Sequence, residues 1–185
     1  MSTLPTGTVT FLFADVEGST RLAHELGEEW QPVLADIRRL LREAVSGANG
    51  HEVDSRGDEL FAAFASAVEA LATRSTVPVD VETTDEPLPR AVEAAAYYVI
   101  AESLANVGKY ADASEVTVRV SHDNGCARIE VADDGVGGAD AADGSGLRGL
   151  ADRVAALEGT LTVDSPPGGG TRVSAEIPLE SAPQE

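Results

Sequence analysis

The feature that most constrains the fold of this chain is an ordered series of four short motifs within its last ninety residues. The series runs Glu102-x-x-x-Asn106-x-x-Lys109, Asp133-Asp134-Gly135-Val136-Gly137, Gly144-Ser145-Gly146-Leu147-Arg148-Gly149-Leu150 and Gly168-Gly169-Gly170-Thr171. A purine triphosphate needs a buried acceptor for its amino group, a side chain that helps hold Mg²⁺, and glycines that let backbone N–H groups approach phosphate. The four motifs offer all three in order, so they predict an ATP site.

The spacing of apolar residues predicts the elements that carry these motifs. Between residues 90 and 107 an apolar stripe recurs at helical spacing and includes Ser103 and Val107. Asn124-Gly125 is a strong two-residue turn between two alternating strands. The elements predicted in this region are a helix over 90–107, an antiparallel hairpin over 116–133, a helix over 147–157, and strands over 161–163 and 172–177.

Each motif suggests a role at the nucleotide. Asp133, at a strand end, can accept from an exocyclic amine, while Gly135 and Gly137 let the chain turn away without covering the base. Asn106 offers a neutral oxygen to Mg²⁺. Glu102 can orient or polarise an attacking group, and Lys109 can meet phosphate. Taken singly, these patterns also fit a turn and a solvated helix face, so the prediction depends on their order.

The third motif permits two interpretations. The glycines Gly144, Gly146 and Gly149 satisfy the spacing of a dinucleotide-binding fingerprint. That fingerprint needs a tight strand-to-helix turn in a βαβ unit, whereas here a long loop follows an antiparallel hairpin. We therefore interpret the glycines as the hinge of a lid whose helix, beginning at Leu147, directs its N-terminus at phosphate. Thr171 is predicted to donate a hydroxyl within the pocket, although it also fits an ordinary strand start.

Residues from about 73 to 180 resemble the ATP-binding domain shared by sensor histidine kinases, gyrase-type ATPases and Hsp90 chaperones. The likeness is greatest to short-lid kinases that pair with helix-turn-helix response regulators. The resemblance implies that Glu102, Asn106 and Lys109 form the Asn box, that Asp133 contacts adenine, and that the glycines of the second and third motifs form the first glycine box and the lid. Tyr110 stands where relatives usually have His. A helical dimerisation segment with a phospho-accepting His is not visible in the sequence.

Residues 7–64 resemble a different family, the class III nucleotidyl cyclases. Phe11-Leu-Phe-Ala-Asp15-Val-Glu-Gly-Ser-Thr20 is similar to the first metal-binding strand and turn of that family, and Arg56-Gly57-Asp58-Glu59 to the hairpin with its second metal aspartate. The resemblance stops near Phe64, before the portion that would supply base-reading and transition-state residues, and Asp54 stands where many relatives have Lys. We therefore interpret Asp15 and Asp58 as a vestigial metal pair and expect no cyclase activity.

Composition limits the partners. A formal net charge of −19, with 32 acidic and 13 basic residues, argues against binding to nucleic acid or to an anionic membrane. One cysteine fits a reducing compartment, and no apolar run approaches spanning length, so a cytoplasmic protein is expected. We predict an α/β (α+β) chain in which a truncated cyclase-like β-α-α-β-β segment of ferredoxin-like type (1–70) precedes a two-layer ATP-binding sandwich (71–180) and a short tail (181–185).

The leading functional hypothesis is an ATP- and Mg²⁺-dependent module of the histidine kinase type. It would donate phosphate to a histidine supplied by another chain, or hydrolyse ATP slowly. The partners expected are a histidine-containing dimerisation domain or a response regulator in trans, and a second copy of the chain. The alternative is a non-catalytic, ATP-dependent partner-switch module that resembles anti-sigma factors.

Overall fold

The chain divides into two compact units. The structure, a computed structural model, describes residues 4–5, 9–84, 86–139 and 145–179. The units comprise Met1–Arg74 and Ser75–Glu185. The sequence predicts the boundary after residue 70, and the structure has it after Arg74.

The first unit packs helices on a small antiparallel sheet. Its elements are β1 (Thr10–Ala14), α1 (Ser19–Leu26), a 3₁₀ turn (Gly27–Glu29), α2 (Trp30–Gly47), β2 (His51–Arg56), β3 (Glu59–Phe64) and α3 (Ala67–Ala72). The strand order is β1-β3-β2, with both pairs antiparallel. A core of Val45, Leu60, Ala62, Phe64 and Ala70 joins the sheet to α2 and α3.

The helices of this unit refine the predicted β-α-α-β-β order. Pro32 lies within the first turn of α2, where its missing N–H costs nothing, so the break between α1 and α2 is at Gly27, which has a φ of +56°. Helix α3 was not predicted, because six residues are too few to show a periodicity. The Ser66 side chain caps α3 by accepting from the Val68 N–H at 3.1 Å.

The second unit is built on a five-stranded sheet. Its elements are β4 (Val79–Thr83), α4 (Arg90–Asn106), a π-helical turn (Val107–Ala111), β5 (Val116–Asp123), β6 (Cys126–Asp133), α5 (Ser145–Ala155), β7 (Thr160–Asp164) and β8 (Thr171–Pro178). The strand order is β4-β5-β6-β8-β7. Strands β4 and β5 run parallel and the other pairs are antiparallel.

The alternation of side chains along these strands produces two unlike faces. The inner face is apolar and packs against α4 and α5, with Val118, Ile129 and Ile177 almost fully buried. The unit is therefore a two-layer sandwich of helices on a mixed sheet, and the prediction of an α/β fold is confirmed. The packing of α4 on the sheet also explains why its apolar stripe is nearly continuous, since Val92, Val99 and Ile100 are all buried.

The outer face of this sheet is charged. Arg119 pairs with Glu82 at 2.8 Å, and Arg172 pairs with Glu130 at 2.7 Å, so a row of alternating charges crosses four strands. Ion pairs as exposed as these contribute little to stability, but their charges keep the outer face of the sheet hydrated. No helix in the described part of the chain combines the length and the apolar character needed to cross a bilayer.

The packing of α4 on the sheet leads to a prediction about stability. Ile100 has no exposed surface, so Ile100→Ala leaves a cavity beneath α4, and we expect a loss of about 2–5 kcal/mol in the free energy of unfolding. Val136, which is 51% exposed, provides the control, because Val136→Ala should change that free energy by no more than about 0.5 kcal/mol. Urea unfolding followed by circular dichroism measures both, and equal midpoints for the two variants would contradict this packing.

Candidate functional site

The second unit contains a cavity of about 560 Å³ at one end of its sheet. It lies between the C-terminal part of α4, the π-helical turn, the last residue of β6, the first of β8 and the N-terminus of α5. Its volume is in the range of small-molecule sites. Apolar walls come from Val107, Val131, Leu147 and Val173. An apolar cavity with a few polar groups at defined points is suited to a planar base with a charged tail.

Most of the residues predicted from the sequence line this one cavity. They are Glu102, Asn106, Lys109, Asp133, Gly137, Gly146, Leu147 and Thr171. Gly135 and Gly149 are not in the wall, and Gly144 lies outside the described residues. The residues come from four separate stretches of the chain, so their convergence is a property of the fold.

The Asp133 carboxylate is held in a defined orientation. Asp133 and Thr171 are paired across β6 and β8. The Asp133 Oδ1 accepts from the Gly135 N–H at 2.9 Å and from the Thr171 N–H at 3.3 Å. No described residue donates to Oδ2, so this oxygen is available as an acceptor in the cavity wall. The Thr171 hydroxyl is hydrogen-bonded to the Ser165 hydroxyl at 2.8 Å, which orients it in turn.

Two glycine-rich loops are joined by backbone hydrogen bonds beside Asp133. The Gly170 N–H donates to the Gly135 carbonyl at 2.9 Å, and the Gly138 N–H donates to the Ser165 carbonyl at 2.9 Å. Gly137 and Gly170 have φ values of +62° and +72°, and a Cβ on either would overlap a backbone carbonyl oxygen of the facing loop. These glycines therefore allow the two loops to touch.

Gly135 has a different reason to be glycine. It is buried against the π-helical turn, and a Cβ there would overlap the Ala111 carbonyl oxygen. The same carbonyl accepts the Val136 N–H at 2.8 Å. The first glycine of the second motif thus lets the loop pack against the end of the π-helical turn and does not itself line the cavity.

The polar edge of α4 continues into the π-helical turn. Glu102 and Asn106 lie on α4, and Lys109 lies in the turn, which ends at Asp112 with a φ of +48°. Such single π turns are frequent at functional sites. Gly146, in the first turn of α5, approaches Glu102 so closely that a Cβ would overlap its carboxylate. The N-terminal end of α5 therefore packs directly on the Glu102 side chain.

A cation at this site would need further ligand atoms besides those of the protein. Within the described ranges, no group of three or more His, Cys, Asp and Glu side chains is arranged to hold a metal ion. The Asn106 carboxamide oxygen is a fitting ligand for Mg²⁺, which takes few protein ligands and the rest from phosphate and water. The donor set therefore fits a cation that arrives with a triphosphate.

Asp134, next to the site, anchors the loop after β6 to the segment before β5. Its Oδ1 accepts from the Ser114 N–H at 2.8 Å and from the Glu115 N–H at 3.1 Å, and its Oδ2 accepts from the Ser114 hydroxyl. The Ser114 hydroxyl, followed by the two backbone N–H groups, lowers the pKa of the Asp134 carboxyl below its ordinary value. The aspartate after Asp133 is thus a structural residue.

The first unit brings its predicted pair of carboxylates together. Asp15 follows β1, and Asp58 lies in the turn between β2 and β3. A hydrogen bond with the Ser19 side chain is the largest cause that lowers the pKa of the Asp58 carboxyl, followed by its own backbone N–H, the Asp15 side chain and the charge of Arg38. Asp15 also lines a cavity of about 420 Å³ together with Phe13, Asp54 and Phe61.

Sequence reasoning missed two polar residues of the main site. Ser103 lines the cavity but was assigned to the apolar stripe of α4. Ser165, which bonds the Ala139 N–H at 2.9 Å and the Thr171 hydroxyl, lies in a loop between predicted strands. The Ser165-Pro-Pro-Gly sequence signals a turn, but nothing local indicates that this turn meets the loop after β6.

The comparison with protein families agrees with this geometry. Residues 91–181, just under half of the 185 residues, match the family described as "Histidine kinase-, DNA gyrase B-, and HSP90-like ATPase". Together with the relatives that follow, this match supports an ATP-binding domain of the histidine kinase type in the second unit.

Individual relatives are sensor kinases. The chain is 33% identical over 106 residues to "Sensor histidine kinase MctS" of Rhizobium johnstonii, covering 54% of this chain and 23% of that protein. It is 33% identical over 105 residues to "Signal transduction histidine-protein kinase/phosphatase DegS" of Bacillus subtilis, covering 53% and 27%. The chain thus spans about a quarter of the length of these curated relatives.

A solved structure is also similar. The Erythrobacter litoralis EL346 blue-light activated histidine kinase has a TM-score of 0.52 and 29% identity, over 61% of this chain and 38% of that one. The histidine kinase domain from the same protein has a TM-score of 0.51 at 21% identity, over 86% and 80%, which supports the fold alone.

The hydrogen bonds of Asp134 predict a pH-dependent stability. Because the folded-state pKa lies below the unfolded one, these bonds stabilise the fold at neutral pH, and their contribution is lost as the pH falls through that lowered pKa, below about 4. Asp134→Asn should therefore lower the thermal midpoint at pH 7, and the difference from the wild type should shrink by pH 3.

Ser114→Ala serves as the partner variant, since the Ser114 hydroxyl is the largest cause of the lowered pKa. It should reduce the same pH-dependent difference and should add little to Asp134→Asn in the double variant. A gap between wild type and Asp134→Asn that stays constant from pH 7 to pH 3 would contradict this account.

Proposed function

We propose that the second unit binds Mg-ATP in the 560 Å³ cavity and acts as the ATP-binding module of a two-component sensor histidine kinase. The observation that carries this proposal is the oriented Asp133 carboxylate, with Oδ1 held by two backbone N–H groups and Oδ2 left as an acceptor. The adenine amino group is a donor that matches it, whereas guanine would present an oxygen there.

The base occupies the apolar part of the cavity in this proposal. Val131 and Val173 flank the strand ends, and Val107 and Leu147 come from the π-helical turn and α5. Burial of a planar ring between such side chains is favourable, while the single hydrogen-bond acceptor sets its orientation.

The triphosphate extends toward the polar edge of α4. Asn106 supplies its carboxamide oxygen to Mg²⁺, which neutralises the phosphates of a chain that is itself strongly acidic. Lys109, exposed at the cavity rim, adds one positive charge. The N-terminal end of α5, at Gly146 and Leu147, adds backbone N–H groups that favour an anion.

The reaction proposed is transfer of the γ-phosphoryl group. A histidine of a dimerisation domain, carried on another chain or on another part of a longer protein, attacks the γ-phosphorus through an imidazole nitrogen. The bond from that phosphorus to the bridging oxygen breaks, ADP leaves, and the Glu102 carboxylate takes the imidazole proton. With water as the attacking group the same steps hydrolyse ATP. Such catalysis depends mainly on positioning and charge neutralisation.

Two aspartates in different units test the nucleotide site. Asp133→Ala should abolish measurable ATP binding, because it removes the acceptor for the amino group and the partner of two backbone N–H groups. Asp15→Ala is the control, since the proposed vestigial cyclase pair plays no part in this binding. Calorimetry with ATP and millimolar Mg²⁺ measures both. Binding that survives Asp133→Ala and is lost in Asp15→Ala would reject the proposal in favour of the first unit.

The second candidate function is a non-catalytic partner switch that responds to ATP. The observation that favours it is the position of His122, the histidine of the second unit, which is outside the cavity wall formed by the described residues; His24 and His51 belong to the first unit. His122 is already paired with Glu86 at 2.6 Å. In this alternative the unit transfers no phosphate, and the bound nucleotide serves to change its binding surface.

Labelled phosphate separates these two functions. The chain is incubated with γ-labelled ATP, Mg²⁺ and a purified dimerisation helix domain that carries a phospho-accepting histidine. A kinase module should label that domain, should fail to label it when its histidine is replaced by alanine, and should lose at least tenfold in rate in Glu102→Gln. ATP binding without any labelling would favour the partner switch.

A further inference from the structure

Ser103 is a buried hydroxyl that lacks a partner. It lies on α4 directly after Glu102, and only 4% of its surface is exposed. Its Oγ is inaccessible and makes no hydrogen bond to any described residue. Ser103 is the one polar or charged residue among the buried residues that the structure describes.

The surroundings of Ser103 offer two kinds of neighbour. On the helix, Val99 and Val107 lie one turn before and one turn after it on the same buried face. On the other side is the cavity, whose wall Ser103 shares with Asp133 and Thr171. A buried hydroxyl without a hydrogen bond is destabilising, and alanine would fit an apolar stripe better. Ser103 belongs to the cavity wall, so the cavity is the place from which a partner can come, and because the Oγ atom is closed to solvent in the free protein, the side chain meets that partner by rotating about χ1.

We propose that the Ser103 hydroxyl is a second base-reading group of the nucleotide site, and this inference rests on the ATP site proposed above. The Asp133 carboxylate can only accept, and so it selects the exocyclic amine. The ring nitrogens that adjoin this amine, N1 and N7, are acceptors, and a hydroxyl can donate to one of them. Asp133 and Ser103 together then present an acceptor and a donor to the adenine edge. A donor that faces N1 also discriminates against guanine, whose N1 carries a hydrogen, whereas N7 is an acceptor in both purines.

This role makes the hydroxyl unfavourable in the free protein and favourable in the complex. Ser103→Ala should raise the thermal midpoint of the nucleotide-free protein, because an unsatisfied polar group is removed. The same variant should weaken ATP binding about three- to tenfold, as expected for one lost hydrogen bond. A residue that only packs α4 on the sheet would not produce opposite signs in these two measurements.

Nucleotide analogues locate the hydrogen bond. Calorimetry with Mg²⁺ compares ATP with 1-deaza-ATP and 7-deaza-ATP, each of which lacks one ring nitrogen. The wild type should bind one analogue about three- to tenfold more weakly than ATP, and Ser103→Ala should bind that analogue and ATP equally. Ser103→Cys, of similar size but with a weak donor, should behave as Ser103→Ala does. Ser121→Ala, at an exposed position on β5, is the control and should match the wild type.

The outcomes are distinct. Equal affinity of wild type and Ser103→Ala for ATP would overturn the inference while leaving the ATP site intact. Equal weakening of ATP and both analogues in Ser103→Ala, with a lowered thermal midpoint, would assign Ser103 to packing and overturn it as well. Absence of ATP binding by the wild type would reject the proposed function and the base-reading role with it.

Discussion

The second unit depends on one carboxylate that joins the ends of two neighbouring strands. Asp133 closes β6, and its Oδ1 binds both the N–H of the loop that follows and the N–H of Thr171, which begins β8. These two bonds bring the loop after β6 back across the end of the sheet, where Gly135 and Gly170 then bond to each other. Because one oxygen is used in this way, the carboxylate is held in place, and its other oxygen, which accepts from no described residue, belongs to a residue of the cavity wall. Because this acceptor is already ordered in the protein, a ligand that donates to it binds at a smaller cost in conformational entropy.

Glycine supports this arrangement through contact between backbones more than through flexibility. Gly135 is tight against the Ala111 carbonyl, Gly137 against that of Pro166, and Gly170 against that of Asp133. A side chain at any of them would push the π-helical turn, the loop after β6 and the loop before β8 apart. The three segments can meet because the two loops have glycine, without a Cβ, at the positions that touch. The cavity is therefore an outcome of close backbone approach at its base, while its upper wall comes from α4 and α5.

The negative charge of the chain limits how such a cavity can hold a phosphate ligand. The chain carries a net charge of −19, and the cavity wall includes two carboxylates, Glu102 and Asp133, against the single ammonium of Lys109. A triphosphate would be repelled without a cation, so under the proposed function the Asn106 oxygen and the N-terminal end of α5 would matter more here than in a basic site. Acidic residues are also abundant on the outer face of the sheet, where Arg119, Arg128 and Arg172 are each paired with a glutamate.

Most of the correct predictions depended on residues that are close to one another in the sequence. The apolar period of α4, the Asn124-Gly125 turn, and the glycines around Asp133 depend on local chemistry, so the longer helices, the hairpin and eight of the residues lining the cavity were predicted from the order of the amino acids. Helix α3 was too short to show a period. Ser103 shares its helix face with Val99 and Val107, and Ser165 lies in an ordinary turn. The sequence around these two serines therefore does not show which other residues they contact. Whether a buried helix face touches core or cavity, and which two loops touch, depends on how distant segments pack, and only the folded structure could decide that.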